Sequence, residues 1–392
     1  MVTEAGVSPA RAELPNADGL RELAEWAPRF GVISVCFDAE PGDRSERWRI
    51  ELRDRLRQLD VPEGEVERHR RRTALGRAVE SVLGRFSRDA PPPGGRTQLG
   101  YVALDEDGGQ RWYSSQVPVP RFDVGLDSRP HLRPLVEVAD RARPFAVAAL
   151  SSERIRLFDF AGGWIEEAAA LELETFELDW RERKAQRVVH PSRGQGASAS
   201  GKDQYGQRLD ANRERFVKQA GERARAWVAD RDRPEVLVFG DRALASRFSA
   251  ELKDGVDLTC LEDTDLISEP TNQIAARVIE ALPGIDRARQ NALVAEALDQ
   301  TRAGGRGSLG VDETAQALAE GRVGRLLIDA ERDLGARPEL ADPLGISRAD
   351  AGDIAEWMIE AAIRTSATVT PLRDEAAESL ADQEGVGALL RY

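Results

Sequence analysis

Apolar positions along the chain follow two rhythms, and the change from one to the other marks the elements. Residues 31–37 (GVISVCF) form a β-branched run bounded by Gly31 and Asp38, the pattern of a buried strand. Residues 45–59 carry Trp48, Ile50, Leu52, Leu56 and Leu59, mostly at helical spacing. Residues 65–86 repeat that signal with Val66, Leu75, Val79, Val82 and Leu83. The run PPPGG at 91–95 then breaks the chain, 99–104 (LGYVAL) resumes as a strand, and 105–110 reads as a hairpin turn.

Further along, 145–150 and 154–158 read as two strands across a Ser-Ser-Glu turn, and 164–178 continues as extended chain. Residues 190–201 (HPSRGQGASASG) contain no large apolar residue and read as a flexible loop. A long helix over 203–228 follows, with a thin stripe of Leu209, Phe216, Val217, Ala220, Ala224 and Trp227. Residues 235–240 (EVLVFG) have the continuous apolar character of a parallel-sheet strand, and 241–252 is the helix after it. In the last third, 273–301 reads as a helix broken at Pro283-Gly284. Helices over 311–320 and 349–364 alternate there with strands over 324–329, 367–371 and 386–390.

Strands alternating with helices indicate an α/β protein. At 392 residues the chain calls for two or three domains at roughly 150 residues each. We place three: an N-terminal α/β domain over 1–142, a middle domain over 143–268 and a C-terminal α/β/α sandwich over 269–392. No apolar run approaches the roughly 20 residues of a membrane span, and the acidic, proline-containing start is not a signal peptide, so a cytoplasmic protein is expected. Cys36 and Cys260 are far apart and read as reduced thiols. With only three histidines, no metal site is expected.

Charge changes the picture more than composition does. The net charge of −14 argues against a general nucleic-acid coat protein. Yet residues 181–225 hold twelve basic and five acidic residues, net +7, and three of the chain's four lysines. Residues 261–392 hold 13 basic and 25 acidic residues, net −12. A basic middle beside an acidic end implies a partner. The basic stem points to RNA, through Arg193, Lys202, Arg208, Arg213, Arg215 and Lys218. The acidic end is repelled by RNA phosphates and points to protein. A second basic patch, Arg68-His-Arg-Arg-Arg72, fits an RNA contact or plain helix surface equally well.

Enzyme signatures fail on context. Gly196 to Lys202 approximates a phosphate loop, but Asp203 stands where a magnesium-binding hydroxyl is needed, and a loop precedes it instead of a strand. Gly305, Gly307 and Gly310 have dinucleotide-site spacing yet follow a helix. There is no GxSxG elbow. No cofactor is expected. What stands out is the loop itself. Glycines flank Gln195 and let the backbone approach a ligand closely, on a basic stem suited to an RNA-lined cavity.

Residues 307–329 (GSLGVDETAQALAEGRVGRLLID) and the ending GVGALLRY resemble the last domain of the archaeo-eukaryotic peptide chain release factors and Pelota. The glycine loop, basic helix and VLVFG strand follow in that family's order, and the N-terminal segment looks like its bacterial branch of Balon-like and Vms-like factors. The resemblance implies a release-factor-like three-domain protein that occupies the ribosomal A site. Its partners would be rRNA and peptidyl-tRNA, with a translational GTPase or other protein as candidate partner of the C-terminal domain. Two activities are implied. One is peptidyl-tRNA hydrolysis in release or rescue, by a glutamine on a glycine turn that positions water. The other is non-catalytic hibernation of idle ribosomes, as in Balon. The family's Gly-Gly-Gln is not intact here. Its counterparts are Gly194-Gln195-Gly196, or alternatively Gln204 with Gly206-Gln207. No Asn-Ile-Lys-Ser is present in the first domain, which speaks against stop-codon decoding.

Overall fold

In the computed structural model, the strand read at 31–37 is β1 (Val32–Asp38), and its period-two pattern serves two cores at once. Ile33, Val35 and Phe37 face the helices α2 (Arg47–Gln58) and α3 (Arg68–Arg85), where they meet Trp48, Leu52, Leu56, Leu75 and Val82. Val32 and Cys36 face the opposite way, toward α1 (Ala17–Glu25) and α4 (Arg133–Arg141). The sheet is antiparallel in the order β3-β2-β1-β4, with β2 (Thr97–Ala103), β3 (Gln110–Ser115) and β4 (Asp123–Asp127). The structure describes residues 13–40, 45–61, 67–90, 94–105, 109–119, 121–172, 200–231, 233–252, 256–262, 266–340 and 353–392.

Two compact units are present, Met1–Arg143 with Ala281–Tyr392, and Pro144–Glu280. The second unit contains a five-stranded sheet in the order β7-β6-β5-β8-β9. Here β5 (Phe145–Leu150), β6 (Arg154–Ala161) and β7 (Trp164–Glu172) form an antiparallel meander, while β5, β8 (Glu235–Phe239) and β9 (Asp257–Leu261) run parallel. Parallel pairing needs crossovers. The long helix α5 (Ser200–Asp230) lies between β7 and β8, and α6 (Arg242–Leu252) lies between β8 and β9. Arg156 of β6 is buried and braces this unit. Its guanidinium meets Glu167 at 2.7 and 2.8 Å and donates to the Ile267 and Glu269 carbonyls.

The first unit also holds a second sheet, in the order β10-β13-β11-β12. Its strands are β10 (Gly307–Leu309), β11 (Val323–Asp329), β12 (Thr368–Leu372) and β13 (Val386–Leu390). Helices α8 (Val311–Ala319) and α9 (Ile354–Arg364) cover one face, sharing a core with Val32, Leu99 and Leu135. Val294 and Ala297 of α7 (Thr271–Arg302), with Ala376 of the short α10 (Asp374–Glu378), cover the other. This is the expected α/β/α sandwich within a mixed α/β protein.

The helix expected to break at Pro283-Gly284 runs through it instead. An interior proline costs about 3 kcal/mol. The fully buried Ile274, Val278 and Leu282 before it, and Val294 and Ala297 after it, offset that cost at about 1.5–3 kcal/mol per large side chain.

The two stretches that carry the family resemblance meet as strands. β13 pairs with both β10 and β11. Gly385, just before β13, has φ +76°, and a Cβ there would stand 2.8 Å from the Asp329 Cβ. Gly385→Ala is expected to lower the unfolding free energy by about 1–3 kcal/mol in a urea titration, since it combines a left-handed backbone with a clash.

Candidate nucleic-acid interface

α5 is held to its sheet by a narrow stripe. Phe216, Val217, Ala220, Ala224 and Val228 are buried against Ala146, Leu157, Val236 and Val238, and against Phe248 of α6. These positions recur at three- and four-residue steps, so one face of the helix is apolar and the opposite face is left to solvent. At about 1.5 Å per residue, 31 residues extend about 46 Å, whereas the stripe from Phe216 to Val228 covers less than half of that.

On the solvent side Arg215, Lys218, Arg223 and Arg225 are exposed. Among the described residues none of the four has an ion pair or hydrogen bond to another side chain, and the one acid among them on this face is the exposed Glu222, so the face keeps a net positive charge. Arg213 is different. It lies half-buried, and its guanidinium meets Glu153 at 3.1 Å. Glu214 pairs with Arg247 at 3.3 Å, which removes an acid from competition with the basic face.

Of the expected site residues, Arg193, Gly194, Gln195 and Gly196 lie outside the described residues. Lys202, Gln204, Gly206, Gln207 and Arg208 fall in the first turns of α5. Arg215 and Lys218 share the exposed face, and Arg213 turns to Glu153. Arg225 was counted in the basic stretch but not singled out. Its seven-residue separation from Lys218, two turns, places it on the same side of an α-helix, and that spacing is the signal that finds it.

The second basic patch forms the first turn of α3. Arg70 reaches Glu67 at 3.0 Å, Arg29 reaches the same carboxylate at 2.9 Å, and His69 and Arg72 are exposed. Among the described residues no cluster of three or more His, Cys, Asp or Glu could hold a metal ion. Among them, too, no helix is long and apolar enough to cross a membrane.

Comparison with known proteins bears on this segment directly. Residues 130–302, which contain the five-stranded sheet and α5, match the family described as bacterial archaeo-eukaryotic release factor family 10. Through this segment the chain is similar to that family. No curated protein matches the chain. Among solved structures, the archaeal termination factor aRF1 is 18% identical, with 96% of this chain and 97% of that one covered and a TM-score of 0.24. Archaeoglobus fulgidus Pelota is 12% identical over 96% and 92% of the two chains, with a TM-score of 0.36. The S. cerevisiae factor Dom34, described as interacting with Hbs1, is 10% identical over 76% and 79%, with a TM-score of 0.36.

Proposed function

We propose that this chain is a translation factor of the release-factor type that enters the ribosomal A site in the cytoplasm, docks on RNA through the exposed face of α5, and presents residues 190–199, which precede that helix, to peptidyl-tRNA. The observation that carries the reading is the set of cations at Arg215, Lys218 and Arg225, unpaired among the described residues and set opposite the buried stripe on the helix that follows residues 190–199. A cationic face held rigidly by a packed stripe neutralises backbone phosphates without sequence preference. The net −12 third segment stays off rRNA and takes a protein partner, with a translational GTPase as the first candidate. In this reading the chain works as three domains with borders near 142 and 268, the first and third of them sharing one compact unit.

In this reading the chemistry is ester hydrolysis of peptidyl-tRNA. Gln195 positions water, and a backbone N–H freed by its flanking glycines stabilises the developing oxyanion. The order Gly-Gln-Gly in place of Gly-Gly-Gln favours a second reading, in which the loop occupies the site without cutting and holds idle ribosomes. A release assay with peptidyl-tRNA bound to ribosomes, run beside ribosome co-sedimentation, separates them. Peptide release that Gln195→Ala abolishes, with binding retained, is the expected result. Release lost instead on Gln204→Ala or Gln207→Ala assigns the role to the start of α5. Binding without release supports hibernation. A chain that does not sediment with ribosomes overturns both.

A further inference from the structure

A cavity of about 400 Å³ lies within the first unit, between the end of β1, the last turn of α4, and α7 where it meets α10. That volume falls in the range of small-molecule sites. Most charges around it are already matched. Arg96 holds Asp38 with contacts of 2.8 and 3.0 Å, and Arg373 holds the buried Glu137 and also Glu331. Arg287 stands 3.6 Å from Asp374 at the mouth, too far for a hydrogen bond.

Three groups are left over. Arg141 lines the cavity half-buried, and its side chain has no ion pair or hydrogen bond among the described residues. Asp286 is 5% exposed. One of its oxygens accepts from Arg143 at 2.6 Å, while Oδ2 is buried with no hydrogen-bond partner. Gln290 is also 5% exposed. Its Oε1 accepts from the Arg373 backbone N–H at 3.1 Å, which leaves the Nε2 donors unused. A buried acceptor without a partner is costly, and proteins rarely keep one without a use. Burial pushes the Asp286 carboxyl upward against the pull of Arg143, as expected for a carboxylate short of partners.

We propose that this cavity binds a phosphorylated pentose, with the phosphate on Arg141 and Arg287 and a sugar hydroxyl between Asp286 Oδ2 and Gln290 Nε2. The guanidiniums supply charge-assisted donors for phosphate oxygens. A hydroxyl both donates and accepts, so it satisfies the unpaired carboxylate oxygen and the idle amide together. Val119 and Pro283 offer the apolar wall against which a ring can lie. This site is independent of the α5 face and of the reading built on it.

Isothermal titration of the full chain with ribose 5-phosphate, AMP and unphosphorylated ribose tests the proposal. Ribose 5-phosphate is expected to bind with Kd at or below about 1 mM, and ribose at least about tenfold more weakly. Arg141→Gln removes a guanidinium that has no partner among the described residues, so it is expected to leave the chain folded. It should weaken ribose 5-phosphate about tenfold or more, while the Arg215→Ala, Lys218→Ala pair on α5 leaves that affinity unchanged. AMP binding more tightly than ribose 5-phosphate assigns a nucleotide as the occupant, and weaker binding assigns the free sugar phosphate. Absence of heat up to about 10 mM, binding indifferent to Arg141→Gln, or equal affinity for ribose overturns the proposal.

Discussion

Replacing Arg215, Lys218 and Arg225 together with alanine is expected to flatten the salt dependence of ribosome binding by about two to three units in d log K/d log [salt]. Each phosphate neutralised releases counterions and contributes roughly −0.7 to −0.9 to that slope. The three cations are exposed and make no ion pair among the described residues, so their charge is available to a partner. Arg213→Ala should have a smaller effect, because Glu153 already holds its guanidinium. Gln195→Ala should leave the slope unchanged, since it removes no charge. Co-sedimentation between about 50 and 200 mM salt reads the difference, which over that range is about tenfold or more in affinity at the low-salt end. A triple variant with an unaltered slope would show that the face is merely solvated, and the RNA-docking reading would be withdrawn.

The sequence-based expectations succeeded where a local rule was sufficient. Val236 to Phe239 is an apolar run bounded by Pro234 and Gly240, and it is β8. The α5 stripe was legible because burial of a helix face leaves a three- and four-residue rhythm in the chain itself. Pro283 misled, because its cost is local while the packing that outweighs it comes from distant elements. The charged residues that join the first and last segments were also illegible. Arg133 pairs with Asp353 at 2.5 Å, and the backbone N–H of Leu132 donates to Glu356 at 2.8 Å. Arg129 pairs with Glu360 at 2.5 Å, and Arg373 reaches Glu137 across 236 residues of chain. In sequence such residues look like solvated helix surface. Only tertiary pairing converts them to interior groups. The Asp286, Gln290 and Arg141 cavity escaped notice for the same reason, since what marks it is a missing partner.

His131 yields the second large effect, because its charge is held by the fold. Its ring lies against β4 where Gly125 leaves room, since a Cβ there would stand 2.2 Å from the imidazole. Asp123 and Asp127 flank it at 3.7 Å each, which is ion-pair distance and too long for hydrogen bonds. Burial alone would lower the imidazole pKa. The two carboxylates and Glu356 outweigh it and raise the value from 6.5 to about 10. The stabilisation is therefore complete below pH 6.5, where the imidazole is charged in both the folded and the unfolded chain. Between 6.5 and about 10 only the folded chain keeps the proton, so stability falls as pH rises, at up to about 1.4 kcal/mol per pH unit. The side chain is 26% exposed and its contacts are long, which reduces the total to about 2–4 kcal/mol. His131→Gln should accordingly unfold in urea about 2–4 kcal/mol more easily than the wild type at pH 6, and the gap should close toward zero by about pH 10. Other titrating groups cancel in that difference, so the narrowing gap isolates this ion pair. A gap that stayed constant across the range would mean that His131 acts by packing alone, with no charge held between β4 and the start of α4.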